Sequence, residues 1–309
     1  MPETTYHESY HFLQKSELLT FEEICVLARS FVKLGVRKVR ITGGEPLLRR
    51  DLDQLVLQLA GIELLEDIAL TTNGVLLPSY AQSLMRAGLR RITLSLDTLD
   101  DAVFGAMNGG RSGVDAVLQG LRAAEAAGFP PAKINAVVIR GLNEHTVVEL
   151  VRRFKGTGHI VRFIEYMDVG TCNGWGMHQV VPSREICAMI NAVFPIAPVE
   201  PNYRGEVAAR YRFLDGSGEI GFISSVSAPF CGDCTRMRLS AEGKLYTCLF
   251  ASDGFDLRTP LRDGAHEEEI TALIASLWQQ RADRYSEVRM ETLNSPEMRK
   301  HVEMYHIGG

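Results

Sequence analysis

The sequence lacks any uninterrupted run of about 18 apolar residues, so no segment of it is predicted to cross a membrane. The N-terminus, MPETTYHESYHFLQKSELL, lacks the basic and apolar regions of a signal peptide, which predicts a cytoplasmic protein with reduced thiols. An excess of basic residues is also lacking: the net charge of −5 argues against a general nucleic-acid binder. The GxxxxGK[ST] sequence of a P-loop does not occur either.

Short runs rich in β-branched residues alternate with helical patterns through the first part of the chain. The predicted strands are 36–42, 68–72, 91–96, 133–139 and 160–166. Before the first of them, TFEEICVLARSFVKLG predicts a helix with Thr20 as N-cap and Glu23 completing a capping box. Strand–helix alternation is typical of parallel strands with crossover helices, so the sequence predicts an α/β fold, either an open sheet or a (β/α) barrel.

The alternation stops at about residue 195, where the pattern of the chain changes. VAARYRF and EIGFISSV predict antiparallel strands around the turn DGSGE, and HEEEITALIASLWQQRADRY predicts an amphipathic helix. We therefore expect a barrel-like domain over residues 1–194 and a smaller C-terminal region over 195–309.

Polar residues and glycines follow several predicted strands, which is where an α/β barrel builds its active site. GGEP follows the first strand, Asn73-Gly74 the second, Asp97 the third, and the last carries Arg162 and Glu165. Taken singly, GGEP is explained as a helix entry and Asn73-Gly74 as a turn. Their common position at one edge of the sheet favours an active site.

Several basic residues lie in apolar strand contexts or beside cysteines: Arg40, Lys133, Arg162, Arg236 and Arg238. A single arginine in a strand is more often exposed or paired with a carboxylate. A convergent group would suit a polyanion such as a nucleoside triphosphate, because guanidinium groups bind phosphate oxygens in pairs.

The stretch FCGDCTRMRLSAEGKLYTC contains Cys231, Cys234 and Cys248, three of the six cysteines in the chain. Structural zinc requires four ligands, and the nearest downstream histidine is His266. A 4Fe–4S cluster can be bound by three thiolates with one iron left open, so the spacing favours iron–sulfur over zinc. Cys25 and Cys187 lie in helical patterns and are predicted to be small buried hydrophobes.

Several longer stretches match one family in order and over essentially the whole chain. They are ELLTFEE, VRITGGEPLLRRDL, LTTNG, RRITLSLD, RFIEYMDVG, FCGDCTRMRLSAEGKLYTCLF, DRYSE and the terminal YHIGG. On these the chain resembles the GTP 3′,8-cyclases (molybdenum cofactor biosynthesis protein A), which are radical S-adenosylmethionine enzymes. The resemblance implies a partial (β/α)6 barrel with a C-terminal extension that carries a second 4Fe–4S cluster.

The resemblance also implies site residues, each carried over by its position. Cys231, Cys234 and Cys248 match the ligands of the second cluster, whose open iron contacts the guanine of GTP. The matching GTP positions are Arg40, Thr71, Lys133, Arg162, Arg236, Met237 and Arg238. The S-adenosylmethionine positions are Gly44, Ser95 and Met167, and Gly308 and Gly309 match a tail that reaches into the active site. Arg236, Arg238, Gly308 and Gly309 are the predicted catalytic residues.

The activity implied is that of a lyase at the start of molybdenum cofactor biosynthesis. In the family a 5′-deoxyadenosyl radical takes the hydrogen from C3′ of GTP, and C3′ then attacks C8 to give 3′,8-cyclo-7,8-dihydro-GTP. The resemblance further implies an electron donor, a pathway partner in cyclic pyranopterin monophosphate synthase, and frequent homodimers.

The chain departs from the family pattern at one point. The family places a CxxxCxxC loop near its N-terminus, with Met-Pro after the third cysteine, and this chain begins with MPET. We therefore expect the chain as given to lack the first cluster and the first barrel strand and not to cleave S-adenosylmethionine. A late start codon, a truncation or a paralogue that binds GTP and one cluster without radical chemistry would each explain this, and a structural zinc protein is a further alternative.

Overall fold

The computed structural model describes residues 13–170, 174–293 and 301–308. Its strands are β1 (Lys38–Ile41), β2 (Asp67–Thr72), β3 (Arg91–Ser95), β4 (Lys133–Val138), β5 (Ile160–Glu165), β6 (Ile196–Val199), β7 (Ala209–Phe213), β8 (Glu219–Ile223), β9 (Arg238–Leu239), β10 (Lys244–Tyr246) and β11 (Phe255–Asp256). Strands β1 to β5 all lie within two residues of their predicted limits. The alternating pattern of the sequence therefore located the strands that carry most of the candidate site.

One mixed sheet has the order β1-β2-β3-β4-β5-β8-β7-β6. Strands β1 to β5 pair in parallel, as does β5 with β8, whereas β8 with β7 and β7 with β6 are antiparallel. The predicted α/β fold with parallel strands and the predicted hairpin of β7 and β8 are both confirmed. Strands after residue 195 extend the main sheet, because the buried β8 pairs on both of its edges. The proposed division at 194/195 stays a prediction.

The helices of the described part are α1 (Phe21–Lys33), α2 (Leu52–Ala60), α3 (Leu77–Ala87), α4 (Asp101–Asn108), α5 (Val114–Ala126), α6 (Val147–Phe154), α7 (Ser183–Asn191), α8 (Arg258–Arg262), α9 (Glu267–Gln279), α10 (Tyr285–Leu293) and α11 (Met304–Ile307). Helix α1 begins with the predicted capping box. The amide of Glu23 donates to Thr20 Oγ1 at 3.1 Å, and the amide of Thr20 donates to Glu23 Oε2 at 2.8 Å. No helix in the described ranges is long and apolar enough to cross a membrane.

The main core lies between one face of the sheet and the helices packed on it. Side chains that alternate along the strands fill this core, among them Leu70, Ile92, Ile134 and Phe163. Successive strand residues point to opposite faces, so the residues between these form the other face of the sheet. That second face is available for a site.

A smaller apolar cluster fixes the cysteine region to the α/β part. Leu27 of α1, Leu245 of β10 and Ile270 and Ile274 of α9 are all buried together with Leu19 and Leu257. Strand β10 pairs with β9 and β11 in a separate three-stranded sheet. The cysteine stretch is thus attached to the helix that precedes β1.

Candidate functional site

The second face of the main sheet carries polar side chains in register, and we call it the polar face. Register follows from the pairs Arg40–Ala69, Ala69–Arg91, Thr71–Thr93, Thr93–Lys133, Ser95–Asn135 and Asn135–Arg162. Residues paired in this way point to the same side of a sheet. The polar face therefore consists of Arg40, Thr71, Arg91, Thr93, Ser95, Lys133, Asn135 and Arg162.

Three cations of the polar face pair with no carboxylate among the described residues: Arg40, Lys133 and Arg162. Burial, followed by the charges of neighbouring cations, lowers the pKa of Lys133 to about 8 and that of Arg162 to about 10. The same causes lower the pKa of Arg40. An uncompensated group of cations in this position attracts anions.

Two buried polar atoms of this face have no hydrogen-bond partner in the described part of the chain. They are Thr71 Oγ1 and Arg162 Nη2. The other side of the Arg162 guanidinium is fixed, because its Nε donates to Asn135 Oδ1 at 2.9 Å. Across the ladder, a Cβ on Gly221 would lie 3.3 Å from Arg162 Cγ, so the glycine leaves room for this side chain. Buried polar groups normally have partners, so these two atoms indicate a ligand or water.

The cysteine stretch places an arginine directly against a thiol. Arg236 donates from Nε and Nη2 to Cys234 Sγ at 3.3 and 3.2 Å. Arg281 donates from Nη1 to the carbonyl oxygen of Cys234. Burial alone would raise the pKa of Cys234, but the charge of Arg236 and the hydrogen bonds from both arginines outweigh it and lower this pKa. A thiolate, which is the form that binds metal, is thereby favoured.

The pKa of the Cys248 thiol is shifted in the opposite direction to that of Cys234. Burial is the main cause that raises the pKa of Cys248, and the neighbouring Cys231 adds to the effect. Phe250 N–H opposes it by donating to Cys248 Sγ at 3.4 Å. Burial lowers the pKa of Arg238 to about 10, and the charges of Cys248 and Cys234 oppose this shift. Arg238 therefore lies near two of the three predicted cluster ligands, Cys234 and Cys248.

No three His, Cys, Asp or Glu side chains within the described ranges are arranged to hold a single metal ion. The remaining described cysteines lie elsewhere. Cys25 is buried in α1, as predicted, and Cys187 is partly buried against the main core.

The two loops after β1 and β2 are joined by Glu45 of GGEP. Its Oε1 accepts from Thr72 Oγ1 at 2.8 Å and its Oε2 accepts from Asn73 N at 2.8 Å. Pro46 begins a short 3-10 helix, and Gly74 has a φ of 82°, so the helix entry and the turn both occur as the residue types indicate.

The predicted S-adenosylmethionine positions lie at the carboxyl ends of three strands. Gly44 is exposed in the loop after β1, Ser95 is the last residue of β3, and Met167 follows β5 by two residues. The structure thus brings all three to the edge of the sheet where Glu45 joins the loops.

Glu165, a polar candidate at the end of β5, is fully buried and serves the fold. Its carboxylate accepts from Ser183 N at 2.7 Å, from Val226 N at 2.9 Å and from Ser227 N at 2.8 Å. A carboxylate with this many backbone donors fixes the loops before α7 and after β8. We assign it no contact with a ligand.

The end of the chain reaches the predicted site. The carbonyl oxygen of Gly308 accepts from Arg238 Nε at 3.3 Å, and a Cβ on Gly308 would lie 2.3 Å from Thr42 Cγ2. The other predicted tail residue, Gly309, lies outside the described residues. The GTP candidate Met237 is half-buried between the two arginines and packs near the smaller cluster.

Sequence reasoning missed several residues near the site. Arg91 belongs to the polar face but is paired with Asp67, its Nε lying 3.0 Å from Oδ1. Tyr203 lies in the loop before β7, and its charge opposes the lowering of the pKa values of Arg40 and Arg162 by burial. The two-residue alternation of RRITLSLD would have revealed Arg91, whereas nothing in the sequence places Tyr203 or Arg281.

Comparison with known proteins identifies relatives of the whole chain. Residues 5–154 match the radical SAM superfamily, and residues 159–287 match Molybdenum Cofactor Synthesis C. A protein named GTP 3′,8-cyclase from Xanthomonas campestris is 54% identical over 297 residues, which cover 96% of this chain and 86% of the relative. Another of that name from Staphylococcus saprophyticus is 47% identical over 310 residues, covering 100% of this chain and 91% of the relative.

Solved structures show the same fold at low sequence identity. Native anSMEcpe with bound AdoMet and Cp18Cys peptide is 14% identical, with a TM-score of 0.51 over 80% of this chain and 70% of that one. This likeness concerns the arrangement of strands and helices.

Proposed function

The chain belongs to the GTP 3′,8-cyclase family, radical S-adenosylmethionine enzymes of molybdenum cofactor biosynthesis, and we propose that its polar face is the binding site for GTP. The observation that carries the proposal is the set of cations Arg40, Lys133 and Arg162, which pair with no carboxylate among the described residues. A triphosphate would supply the missing negative charge, and Thr71 Oγ1 and Arg162 Nη2 would gain hydrogen-bond partners.

The cysteine stretch is the proposed site of a 4Fe–4S cluster. The three thiols of this stretch would bind three irons, and Arg236 and Arg281 favour the thiolate of Cys234. When bound, such a cluster would leave one iron open to the guanine of GTP. Arg236, Met237 and Arg238 would then lie between the cluster and the polar face, so the two arginines orient the nucleotide.

S-adenosylmethionine is the proposed second ligand, at Gly44, Ser95 and Met167. When bound there together with its own 4Fe–4S cluster, S-adenosylmethionine would supply the radical for the reaction at C3′ of GTP. None of the six cysteines has CxxxCxxC spacing. We therefore propose that a polypeptide of these 309 residues alone binds GTP but does not cleave S-adenosylmethionine.

The remaining parts of the proposal concern architecture and partners. The parallel strands β1 to β5 would form part of a (β/α) barrel, with residues 1–194 as one domain and 195–309 as the other. Gly308 would approach the nucleotide beside Arg238. The product would pass to cyclic pyranopterin monophosphate synthase, and an external donor would supply the electron.

The test compares nucleotide binding with radical chemistry. Anaerobically reconstituted protein is titrated with GTP and with ATP in a calorimeter, and 5′-deoxyadenosine is then assayed under dithionite. The assay uses the 309-residue chain and a chain extended upstream by a CxxxCxxC loop. We expect both chains to prefer GTP and only the extended one to make 5′-deoxyadenosine and the cyclised product. ATP binding as tight as that of GTP would refute the guanine contact, and similar 5′-deoxyadenosine rates would refute the assignment of the first cluster.

A further inference from the structure

Residues 301–308 form a C-terminal tail that lies against the cysteine region. The amide of Val302 donates to the carbonyl oxygen of Ala251 at 3.0 Å. Farther along, His306 Nε2 lies 3.0 Å from Glu242 Oε1, and Gly308 reaches Arg238. The tail therefore runs from the end of the cysteine stretch to the predicted GTP site.

His301 fixes the near end of this tail through both ring nitrogens. Its Nδ1 lies 2.7 Å from the carbonyl oxygen of Phe250, which can only accept, so this nitrogen donates. Its Nε2 lies 3.2 Å from the hydroxyl oxygen of Tyr285. Because that hydroxyl donates its one proton to Asp168, a hydrogen bond between the two requires a proton on Nε2 as well. The Tyr285 ring stacks on Phe250 at 4.6 Å between centroids and meets the His301 ring edge-on at 4.7 Å.

Tyr285 in turn rests on a buried ion pair. Its hydroxyl donates to Asp168 Oδ2 at 2.5 Å, while Arg289 Nε lies 2.8 Å from Asp168 Oδ1. Arg289 Nη1 also donates to the carbonyl oxygen of Ser225 at 2.8 Å. Asp168 and Arg289 are both buried, so the ion pair that holds the Tyr285 hydroxyl is rigid. Asp168 directly follows Met167, a proposed S-adenosylmethionine contact.

The far end of the tail has little room. Gly308 has a φ of 70°, and a Cβ there would lie 2.3 Å from Thr42 Cγ2 and 3.2 Å from Gly43 N. A residue with a side chain would clash in that space and would also be strained by this backbone conformation. The tail must therefore be held in one register, so that a glycine meets Thr42 and Arg238.

We propose that Tyr285 and His301 are positioning residues that anchor the tail and thereby bring Gly308 to Arg238. Neither residue touches Gly308; they act through the register of residues 301–308. The effect of this anchor on GTP binding rests on the proposed function. The anchor itself consists of contacts within the chain and requires no nucleotide.

Hydrogen–deuterium exchange, read by mass spectrometry on the C-terminal peptide, tests the anchor in anaerobically purified 309-residue protein. The variants are Tyr285→Phe, which keeps the stacked ring, and His301→Ala. The matched control is Tyr246→Phe, since Tyr246 is a buried tyrosine of β10 whose hydroxyl has no tail contact in the described part. His301→Gln keeps a side-chain donor for Phe250 and serves as the conservative replacement.

We expect amides of the tail to exchange at least about tenfold faster in Tyr285→Phe and His301→Ala, with His301→Gln between these and wild type. Peptides of β4 should exchange as in wild type, and Tyr246→Phe should leave the tail unchanged. Unchanged tail exchange in both anchor variants would overturn the proposal. Faster exchange in β4 as well would also overturn it, because the residues would then support the fold and not the tail. No nucleotide is present, so the result does not depend on the GTP assignment.

Discussion

Both Nε and Nη2 of Arg236 donate to the Sγ atom of Cys234, at 3.3 and 3.2 Å. The guanidinium is thereby fixed next to a predicted cluster ligand, and it also lies over the ring of Phe230 at 5.2 Å. Its remaining N–H groups can bind a phosphate or a base, because a guanidinium has five donors in all. One side chain would thus link the proposed cluster site with the proposed GTP site.

Replacing Arg236 by alanine should weaken GTP binding by roughly 1.5–3 kcal/mol, the contribution of a hydrogen bond to a charged group. Calorimetry on anaerobically reconstituted protein measures this difference. The matched control is Arg204→Ala, since Arg204 pairs with Asp233 of the same stretch but its side chain is 89% exposed. Equal GTP affinity in wild type and Arg236→Ala would remove this arginine from the site.

Lys133 should make GTP binding depend on pH. Burial and the neighbouring cations Arg162, Arg91 and Arg40 lower its pKa to about 8, so it loses its charge as the pH rises through that value. Bound phosphate favours the charged form, so GTP affinity should fall above pH 8, by at most about tenfold per pH unit. Lys133→Arg should remove most of this fall between pH 7 and 9. A decline of the same steepness in the variant would assign it to another group.

Asp97 should make the stability of the fold depend on pH, in a more acidic range than the effect of Lys133 on GTP binding. Burial is the first cause that raises its pKa to about 6 from 3.8, against the hydrogen bond from Val137 N at 2.8 Å. The folded state therefore binds the proton more tightly, and its contribution is complete below pH 3.8 and is lost as the pH rises through 6. Asp97→Asn keeps an acceptor for Val137 and should stabilise the chain by roughly 1–3 kcal/mol at pH 8, but by less at pH 5. Urea unfolding at both pH values measures the difference, and an equal effect at the two would contradict it.

Arg289→Leu should destabilise the chain by about 3–5 kcal/mol, because it leaves the carboxylate of Asp168 buried without its charged partner. The matched control is Arg284→Leu on the same segment. The Arg284 side chain is 72% exposed and pairs with Glu287, so the change should stay within about 0.5 kcal/mol. Urea unfolding measures both variants. A loss below 1 kcal/mol for Arg289→Leu would mean that water replaces the guanidinium.

The sequence predicted those parts of the structure that local patterns determine. Runs rich in β-branched residues located β1 to β5 and with them Arg40, Lys133 and Arg162 of the polar face, but not Arg91. The Thr20–Glu23 pattern located the start of α1. Contacts between distant segments were not predictable. In the anchor, the contact between Asp168 and Tyr285 joins residues 117 positions apart. The burial of Glu165 likewise depends on loops whose course no local pattern describes.

The close approach of Gly120 and Gly74 is another such contact, and it gives the last prediction. Helix α5 lies on the turn after β2, and a Cβ on Gly120 would lie 2.0 Å from the carbonyl oxygen of Gly74. Gly120→Ala should therefore destabilise the chain by about 1–3 kcal/mol, because the helix must move away from the turn. Gly105 of α4 is a matched control, since a Cβ there would have nothing within 4 Å. Gly105→Ala should stabilise by roughly 0.5–1 kcal/mol through helix propensity alone. Denaturant unfolding of both variants decides the matter: equal effects of the two alanines would mean that the fit of α5 against the turn contributes nothing to stability.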